Sequence, residues 1–230
     1  MKPKSHYQSL FQAARQQLIK DEYEVDQKIG DLSDTRRGIT LLARPDLNCK
    51  TNIAAFLNKL QLLDPSQYYY PQSDLHITIM SIISCYEGFQ LRQINPKEYI
   101  CVILKSLSET PPFKIHFAGV TLSPAGVLLQ GYPDGEALQY LRDRLRQHFK
   151  SSSLQQSLDK RYAIQTAHST IMRYKYPLKN KNKFLQTIES NRHTDFGTFT
   201  VNELELVFND WYQRKENVQL LHRLPLTNHR

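Results

Sequence analysis

The chain has 230 residues, of which 40% are hydrophobic and 23% are charged, and its formal net charge is +8. This composition is typical of a folded chain with one large domain or two small lobes, and it excludes a disordered protein. No apolar stretch approaches the roughly 18–20 residues that a membrane span requires, which excludes a membrane-spanning protein.

Helical and strand patterns alternate along the first part of the chain. Residues 1–37 are expected to form a helical extension, because apolar residues recur on one face of a helix that starts near Ser5. Residues 38–43 form an apolar run typical of a buried strand, and residues 50–63 show helical spacing. The β-branched residues of segment 75–83 predict a second strand. The apolar residues of the first helix are Leu10, Phe11, Ala14 and Leu18.

The middle of the chain predicts a further helix and a strand pair. Apolar residues recur at helical spacing over residues 100–107, and they alternate with polar residues over 113–117, which predicts a half-buried strand. Residues 127–132 are expected to pair with that strand after a Ser-Pro-Ala-Gly turn. Asp134 is a candidate N-cap for a helix that runs to Phe149.

The last third of the chain repeats this order of elements. Residues 162–172 predict a strand, and a helix follows through residues 184–188. Apolar residues alternate over segment 199–208, but the parity changes at residues 202–203, which implies a turn or a bulge. A final strand is predicted over residues 218–226. The mixture of helices with strands joined by short turns predicts an α+β fold with a largely antiparallel sheet.

Two segments of the sequence are nearly identical. His-Ile-Thr-Ile-Met begins at residue 76 and His-Ser-Thr-Ile-Met begins 92 residues later, each inside a predicted strand. Because alternate side chains of a strand share a face, His76 and Thr78 point to one side of their strand, as do His168 and Thr170. Each strand therefore presents an imidazole and a hydroxyl about 7 Å apart.

Two such strands facing each other across a cleft could bracket a phosphate group. A neutral histidine can take a proton from an attacking water, and a protonated histidine can give one to the leaving oxygen. The threonine hydroxyls can donate hydrogen bonds to the non-bridging oxygens. This chemistry needs no cofactor, so we expect none. A single His-x-Thr would usually be a chance match, but two copies in matching strands favour the functional interpretation.

At these motifs the sequence resembles the 2H phosphoesterase superfamily, which is named for its two His-x-Thr/Ser motifs and includes RNA 2′,3′-cyclic phosphodiesterases, often called 2′-5′ RNA ligases. The resemblance extends over roughly residues 38–226. It implies two pseudo-symmetric lobes of mostly antiparallel sheet, with outer helices around a central groove. Residues 38–230 would then form a single bilobal domain. The departures from the family are the N-terminal extension and Ser169, where an apolar residue is usual.

The resemblance also implies roles for individual residues. By this similarity His76 is the general acid and His168 the general base, whereas Thr78 and Thr170 bind the phosphate. Arg173, five residues after His168, matches an arginine that is common after the second motif of the family.

Three further sets of residues are candidates for substrate contacts. Arg173 has odd parity relative to His168, so a regular strand would turn it away from the groove, whereas a bulge or a strand end would bring it back. Trp211 and Tyr212 could stack on a base or pack in the core. The run Tyr68–Tyr70 could line the groove mouth, although we expect it to cover a loop.

The remaining histidines and the cysteines indicate no metal site. No histidine outside the motifs has a partner at ligand spacing, and no Gly-rich phosphate loop is present. The three cysteines form no Cys-x-x-Cys pair, and the N-terminal segment lacks the apolar core of a secretory signal. These features favour a reducing, cytoplasmic location. The other histidines are His6, His116, His148, His193, His222 and His229.

The sequence therefore predicts a metal-independent phosphodiesterase that acts on a 2′,3′-cyclic phosphate or on a 2′-5′ or 3′-5′ linkage. The basic excess favours RNA or a nucleotide as partner, although many cytoplasmic domains are equally basic. We expect a monomer that does not bind membranes. The alternatives are a non-catalytic RNA- or nucleotide-binding module on the same fold and a phosphoesterase for small molecules.

Overall fold

The structure is a computed structural model that describes residues 3–160 and 163–227. The helices of this part are α1 (Pro3–Ile19), α2 (Leu47–Leu63), α3 (Pro96–Leu107), α4 (Ala137–Lys150) and α5 (Lys181–Ser190). The strands are β1 (Arg37–Ala43), β2 (Tyr68–Tyr69), β3 (Ile77–Tyr86), β4 (Phe113–Ser123), β5 (Gly126–Pro133), β6 (Ser169–Arg173), β7 (Asp195–Val201), β8 (Glu203–Asp210) and β9 (Gln219–Pro225). None of the described helices combines the length and apolarity needed to cross a lipid bilayer.

The strands form two antiparallel sheets, which confirms the predicted α+β class and its bilobal arrangement. One sheet has the strand order β3-β1-β8-β9, and the other has the order β2-β6-β5-β4-β7. Each sheet carries one motif strand, β3 in the first and β6 in the second. The change of parity at residues 202–203 marks the place where the chain passes from β7 in the five-stranded sheet to β8 in the four-stranded sheet.

The helices cover the outer faces of these sheets. Helix α2 packs against β7, α4 packs against β3, and α3 lies against α4. Local chemistry explains where two of them begin. The Asp46 carboxylate accepts a hydrogen bond from the Cys49 amide at 2.8 Å and so caps α2. At α3 the side chain of Asn95 caps the helix, and Pro96 occupies the first helical position, where its missing N–H costs nothing.

Three sequence-based boundaries need correction. The N-cap position of α4 is Glu136, whose side chain makes no capping hydrogen bond. Asp134 lies too early, because its amide still donates to the Lys114 carbonyl at 2.9 Å and so continues the hairpin of β4 and β5. The predicted strand over 162–172 begins only at Ser169, and residue 162 lies outside the described residues. The strand of the first motif begins at Ile77. Both motif histidines therefore lie one residue before their strands.

The N-terminal extension is a helix followed by an irregular segment, and both pack closely on the rest of the chain. The inner face of α1 consists of Tyr7, Phe11, Ala14 and Leu18, each 2% exposed or less, with Leu10 at its edge. This face lies against β4. The following segment bonds to the five-stranded sheet through the Glu24 amide and the Pro124 carbonyl at 2.8 Å. It reaches the other sheet through Lys28 and Glu87 at 2.6 Å.

Both motif strands contain a β-bulge at the residue after the motif threonine. Along β1, Leu41 pairs with Met80 and Leu42 pairs with Thr78, so Ile79 has no partner on that strand. In the second sheet Val127 pairs with Met172 and Leu128 with Thr170, which leaves Ile171 as the extra residue. Since a bulge reverses which face the following residues occupy, side chains beyond each bulge are turned to new positions.

One buried arginine connects the two motif segments. Arg142 on α4 is 1% exposed. Its Nε donates to the Ile79 carbonyl at 3.0 Å, and its Nη2 donates to the Thr78 carbonyl at 2.9 Å and to the Thr166 carbonyl at 3.0 Å. The guanidinium thus joins the first bulge to the segment that precedes β6.

We expect Arg142→Met to destabilise the protein by about 3–5 kcal/mol, because it leaves buried carbonyls without their charged donor. Arg223→Met is the matched control, since the Arg223 side chain is 57% exposed and its ion pairs lie at the surface. Its loss should cost about 1 kcal/mol or less. Urea unfolding of both variants measures the difference, and equal losses would show that Arg142 has no special structural role.

Candidate active site

The two motifs meet in one cavity, with a volume of about 150 Å³. His76 and Thr78 line it from the four-stranded sheet, and His168 and Thr170 line it from the five-stranded sheet. The two imidazoles lie close enough that charge on His76 opposes protonation of His168. The structure thus brings together four side chains that the sequence separates by 92 positions.

The alternation predicted for both motifs is present. Ile77 and Ser169, the middle residues of the two His-x-Thr motifs, are both fully buried, while the flanking histidines and threonines reach the cavity. Ser169 therefore occupies an apolar position of the strand. Its hydroxyl has no hydrogen-bond partner among the residues that the structure describes.

Arg173 also lines the cavity. The bulge at Ile171 reverses the parity of β6, so Arg173 and Thr170 reach the same side despite their odd spacing. Its Nε donates to the Tyr70 hydroxyl at 2.9 Å, which fixes the position of the guanidinium. Ser81 lies 92 residues before Arg173 and lines the cavity too. Extending the repeat of the two motifs by a few residues would have found it.

The aromatic candidates divide into two groups. Trp211 lines the cavity, and the Arg36 guanidinium lies 4.8 Å from the centroid of its ring. Tyr212 is only 1% exposed, and its hydroxyl donates to the Asp26 carboxylate at 3.0 Å. The turn after β8 directs consecutive side chains to opposite sides, so Tyr212 supports the cavity wall from behind. This corrects the expectation that Tyr212 contacts the substrate.

The tyrosine run before the first motif is also divided. Tyr70 lines the cavity and is 3% exposed. Tyr69 is half-buried, and its hydroxyl donates to the carbonyls of Leu60 and Asp64 at the end of α2. The expectation that this run only covers a loop is therefore wrong for Tyr70, because β2 pairs with β6 and so carries Tyr70 to the cavity beside Arg173.

The two histidines have similar burial but different partners. Burial lowers the pKa of His76 to about 4, against which the Asp74 carbonyl acts by accepting a hydrogen bond from Nδ1 at 2.8 Å. Burial, and after it the positive charge of Arg142, lower the pKa of His168 to about 4. Without a bound anion, both imidazoles are therefore neutral at pH 7.

A chain of polar contacts leads from His168 to the N-terminal helix. The His168 Nδ1 atom lies 2.8 Å from the Thr166 hydroxyl, and the Thr166 side chain lies near the hydroxyl of Tyr7 on α1, whose pKa it acts to lower. The Tyr7 hydroxyl donates to the Gly131 carbonyl at 3.2 Å and accepts from the Gly131 amide at 3.1 Å. Glycine is required at 131 because a Cβ there would lie 2.0 Å from the Ala167 carbonyl oxygen.

These contacts favour one tautomer of His168. The only hydroxyl proton of Tyr7 is directed to the Gly131 carbonyl, so toward Thr166 the Tyr7 hydroxyl can act only as an acceptor. When the Thr166 proton is oriented toward Tyr7, the Thr166 oxygen accepts from Nδ1–H of His168. The Nε2 atom then keeps a free lone pair, which is the form that a general base requires.

In residues 3–160 and 163–227 no group of three or more His, Cys, Asp or Glu side chains is arranged to hold a metal ion. Sequence reasoning missed several residues of this site, among them Arg142, Thr166, Tyr7 and Ser81. Arg142 and Tyr7 belong to no motif and reach the site through contacts between segments distant in the chain. Thr166 belongs to no motif either, although it lies two residues before His168 and bonds to it.

We expect Tyr7→Phe to change the tautomer of neutral His168. Without an acceptor at residue 7, the Thr166 hydroxyl can donate to Nδ1 and move the imidazole proton to Nε2. Nitrogen-15 NMR of the histidine side chains measures this population. Tyr174→Phe is the control, because Tyr174 is fully buried and its hydroxyl has no partner among the described residues. An unchanged tautomer in Tyr7→Phe would contradict the role assigned to Tyr7.

Comparisons with known proteins agree with this geometry. The family model of the 2′-5′ RNA ligase superfamily matches residues 50–210. In structure the chain is similar to Escherichia coli LigT complexed with 3′-AMP, at 14% identity and a TM-score of 0.55, over 84% of this chain and 99% of LigT. It is also similar to the TT0787 protein of Thermus thermophilus, at 14% identity and a TM-score of 0.58, over 83% and 97% of the two chains.

A search of curated protein sequences found no match. The two structural similarities, at 14% identity, show the fold. The family match covers well over half of the chain and includes both His-x-Thr motifs. The chain therefore belongs to the 2′-5′ RNA ligase superfamily, in agreement with the resemblance to 2H phosphoesterases on which its motifs converge.

Proposed function

We propose that this protein is a metal-independent phosphodiesterase that hydrolyses a 2′,3′-cyclic phosphate, or a 2′-5′ or 3′-5′ linkage, in RNA or a nucleotide. The observation that carries the proposal is the meeting of both motifs in one cavity. Two imidazoles, two hydroxyls and the Arg173 guanidinium line it together. This set can bind a phosphate and transfer protons on both of its sides.

His168 is the general base and His76 the general acid in this proposal. In the tautomer whose Nδ1–H donates to Thr166, the His168 Nε2 atom can take a proton from the attacking water, and burial together with the charge of Arg142 keeps the ring neutral until then. The Asp74 carbonyl accepts a hydrogen bond from Nδ1–H of His76 whether the ring is neutral or charged, and it favours the charged form. The Nε2–H of the charged ring then protonates the leaving oxygen. The different partners of the two histidines thus support different roles.

The phosphate itself completes the proton arrangement. Thr78 and Thr170 can donate hydrogen bonds to non-bridging oxygens, and Arg173 adds a positive charge. A bound anion raises the pKa of a neighbouring imidazole, so substrate binding favours protonation of His76. Escherichia coli LigT, a protein of the same fold, was solved with 3′-AMP, which supports a nucleotide or RNA as the substrate here.

Replacing either histidine by alanine should lower kcat by about 10²–10⁴-fold, the usual contribution of a general acid or base. A nitrophenolate leaving group needs no protonation as it departs. On a substrate with this leaving group, His76→Ala should have most of the activity of the natural chain, whereas His168→Ala should remain slow. All assays contain EDTA, since the proposed proton transfers require no metal.

His116→Ala is the control for these variants, because that imidazole is exposed and pairs with Asp195 at the surface. If His168→Ala instead of His76→Ala were active on the nitrophenolate substrate, His168 would be the general acid and His76 the general base. Binding of nucleotides without any turnover by the natural chain would favour the non-catalytic module.

We expect the pH optimum of kcat/KM to lie below that of kcat. The pH profile of kcat/KM reports the free enzyme, in which burial lowers the pKa of both histidines to about 4. The pH profile of kcat reports the enzyme–substrate complex, in which the negative phosphate raises the pKa of both histidines. Steady-state kinetics from about pH 4 to about pH 8 tests this. Coincident optima near the ordinary histidine pKa of about 6.5 would contradict it.

Folding must be followed over the same range. Both folded-state pKa values lie below the unfolded value of about 6.5. The stability that the neutral histidines contribute is therefore complete above about pH 6.5 and is lost as the pH falls toward about 4. Circular dichroism at each pH separates loss of structure from loss of activity.

A further inference from the structure

One short stretch of chain contributes three side chains to the cavity that take no part in the proposed proton transfers. They are Asn209 at the end of β8, and Trp211 and Gln213 in the turn after it. Asp210 and Tyr212, which alternate with them, are each 1% exposed and point into the interior. The chain therefore presents one wall of the cavity through alternate residues.

Two of these side chains carry buried amide oxygens without a partner. Asn209 is 2% exposed and Gln213 is 4% exposed. Among the residues that the structure describes, neither Asn209 Oδ1 nor Gln213 Oε1 accepts a hydrogen bond. The Asn209 amide cannot simply be reversed, because its nitrogen donates to the Asp210 carbonyl at 2.8 Å and to Cys85 Sγ at 3.5 Å. Buried acceptors without donors are costly, so two of them beside a cavity point to donors on a ligand.

The backbone at Gln213 is held in a left-handed conformation with φ of +58°. Residues other than glycine adopt this region reluctantly. The buried Asp210 carboxylate maintains the turn by accepting from the amides of Tyr212 at 3.1 Å and Arg214 at 3.0 Å, and from Asn217 Nδ2 at 3.0 Å. Strain that the surroundings maintain at a cavity wall is typical of a functional position.

We propose that Asn209, Trp211 and Gln213 form a nucleobase subsite that binds the exocyclic amino group of the substrate base. The inference rests on the proposed function, because it places the base of the same substrate. The Trp211 indole supplies an aromatic surface for a flat base. The two amide oxygens accept from the amino group, and the Gln213 amide nitrogen can donate to an adjacent ring nitrogen.

The number of donors on each base decides which bases fit. Adenine and cytosine carry an amino group with two N–H bonds next to an acceptor ring nitrogen. Uracil presents carbonyl oxygens in the corresponding place, and these would face the oxygens of Asn209 and Gln213. Hypoxanthine has the size of adenine with a carbonyl in place of the amino group. A ribose hydroxyl is also a donor, but it is the same in every nucleotide.

The test is the affinity of the 3′-monophosphates of adenosine, cytidine, uridine and inosine, measured by calorimetry. We expect adenosine and cytidine to bind about 10–100-fold more tightly than uridine and inosine, the usual range for a bidentate amide contact to a base. Gln213→Gly removes the side chain at a backbone conformation that glycine accepts, so this variant should fold and lose most of the preference. Gln219→Leu, which changes an exposed glutamine on β9, should keep it.

Equal affinity for all four nucleotides would overturn the subsite. So would an equal loss for all four in Gln213→Gly, which would mean that Gln213 contacts the ribose or the phosphate. The matching 2′,3′-cyclic nucleotides are assayed for turnover in the same preparations. Base-dependent binding without turnover would support the subsite and overturn only the proposed hydrolysis.

Discussion

Arg142 brings a full positive charge into the interior of the protein, and the shape of the cavity depends on how that charge is satisfied. Its guanidinium donates to carbonyls of β3, in the four-stranded sheet, and of the segment that leads into β6, a strand of the five-stranded sheet. Burying a charge is expensive unless hydrogen bonds compensate it, so the two segments can take only positions that supply these carbonyls. One of them belongs to the bulged residue Ile79, whose strand pairing the bulge disrupts.

The same charge affects the chemistry of the cavity. Arg142 opposes protonation of His168, while His76 has a carbonyl on Nδ1 that favours its charged form. The two motifs are equivalent in position, each with a bulge after its threonine. The hydrogen bonds around their histidines are not equivalent. Pseudo-symmetry therefore places two imidazoles around one cavity, and the proposed acid and base roles rest on the local differences in their hydrogen bonds.

The N-terminal residues contribute to the hydrogen bonds around the cavity. The hydroxyl of Tyr7, on α1, is hydrogen-bonded to Gly131 and lies near Thr166, which bonds to His168. Farther along, Asp26 accepts from the Tyr212 hydroxyl behind the cavity wall, and Lys28 pairs with Glu87, the residue directly after β3. Phe11, Ala14 and Leu18 belong to the same hydrophobic core as both sheets. The extension is thus packed as part of the domain that holds the cavity.

The sequence by itself determined the elements, the two motifs and the faces of their side chains, because hydrophobic periodicity and strand alternation are local properties of the chain. It could not place Arg173, since the parity beyond a bulge depends on the register with a neighbouring strand. Nor could it separate Trp211 from Tyr212, whose directions follow from the turn that Asp210 holds. Arg142 and Tyr7 carry no motif, and they reach the site only through contacts between distant segments. Those contacts exist only after the two sheets have packed, so tertiary structure alone decided them.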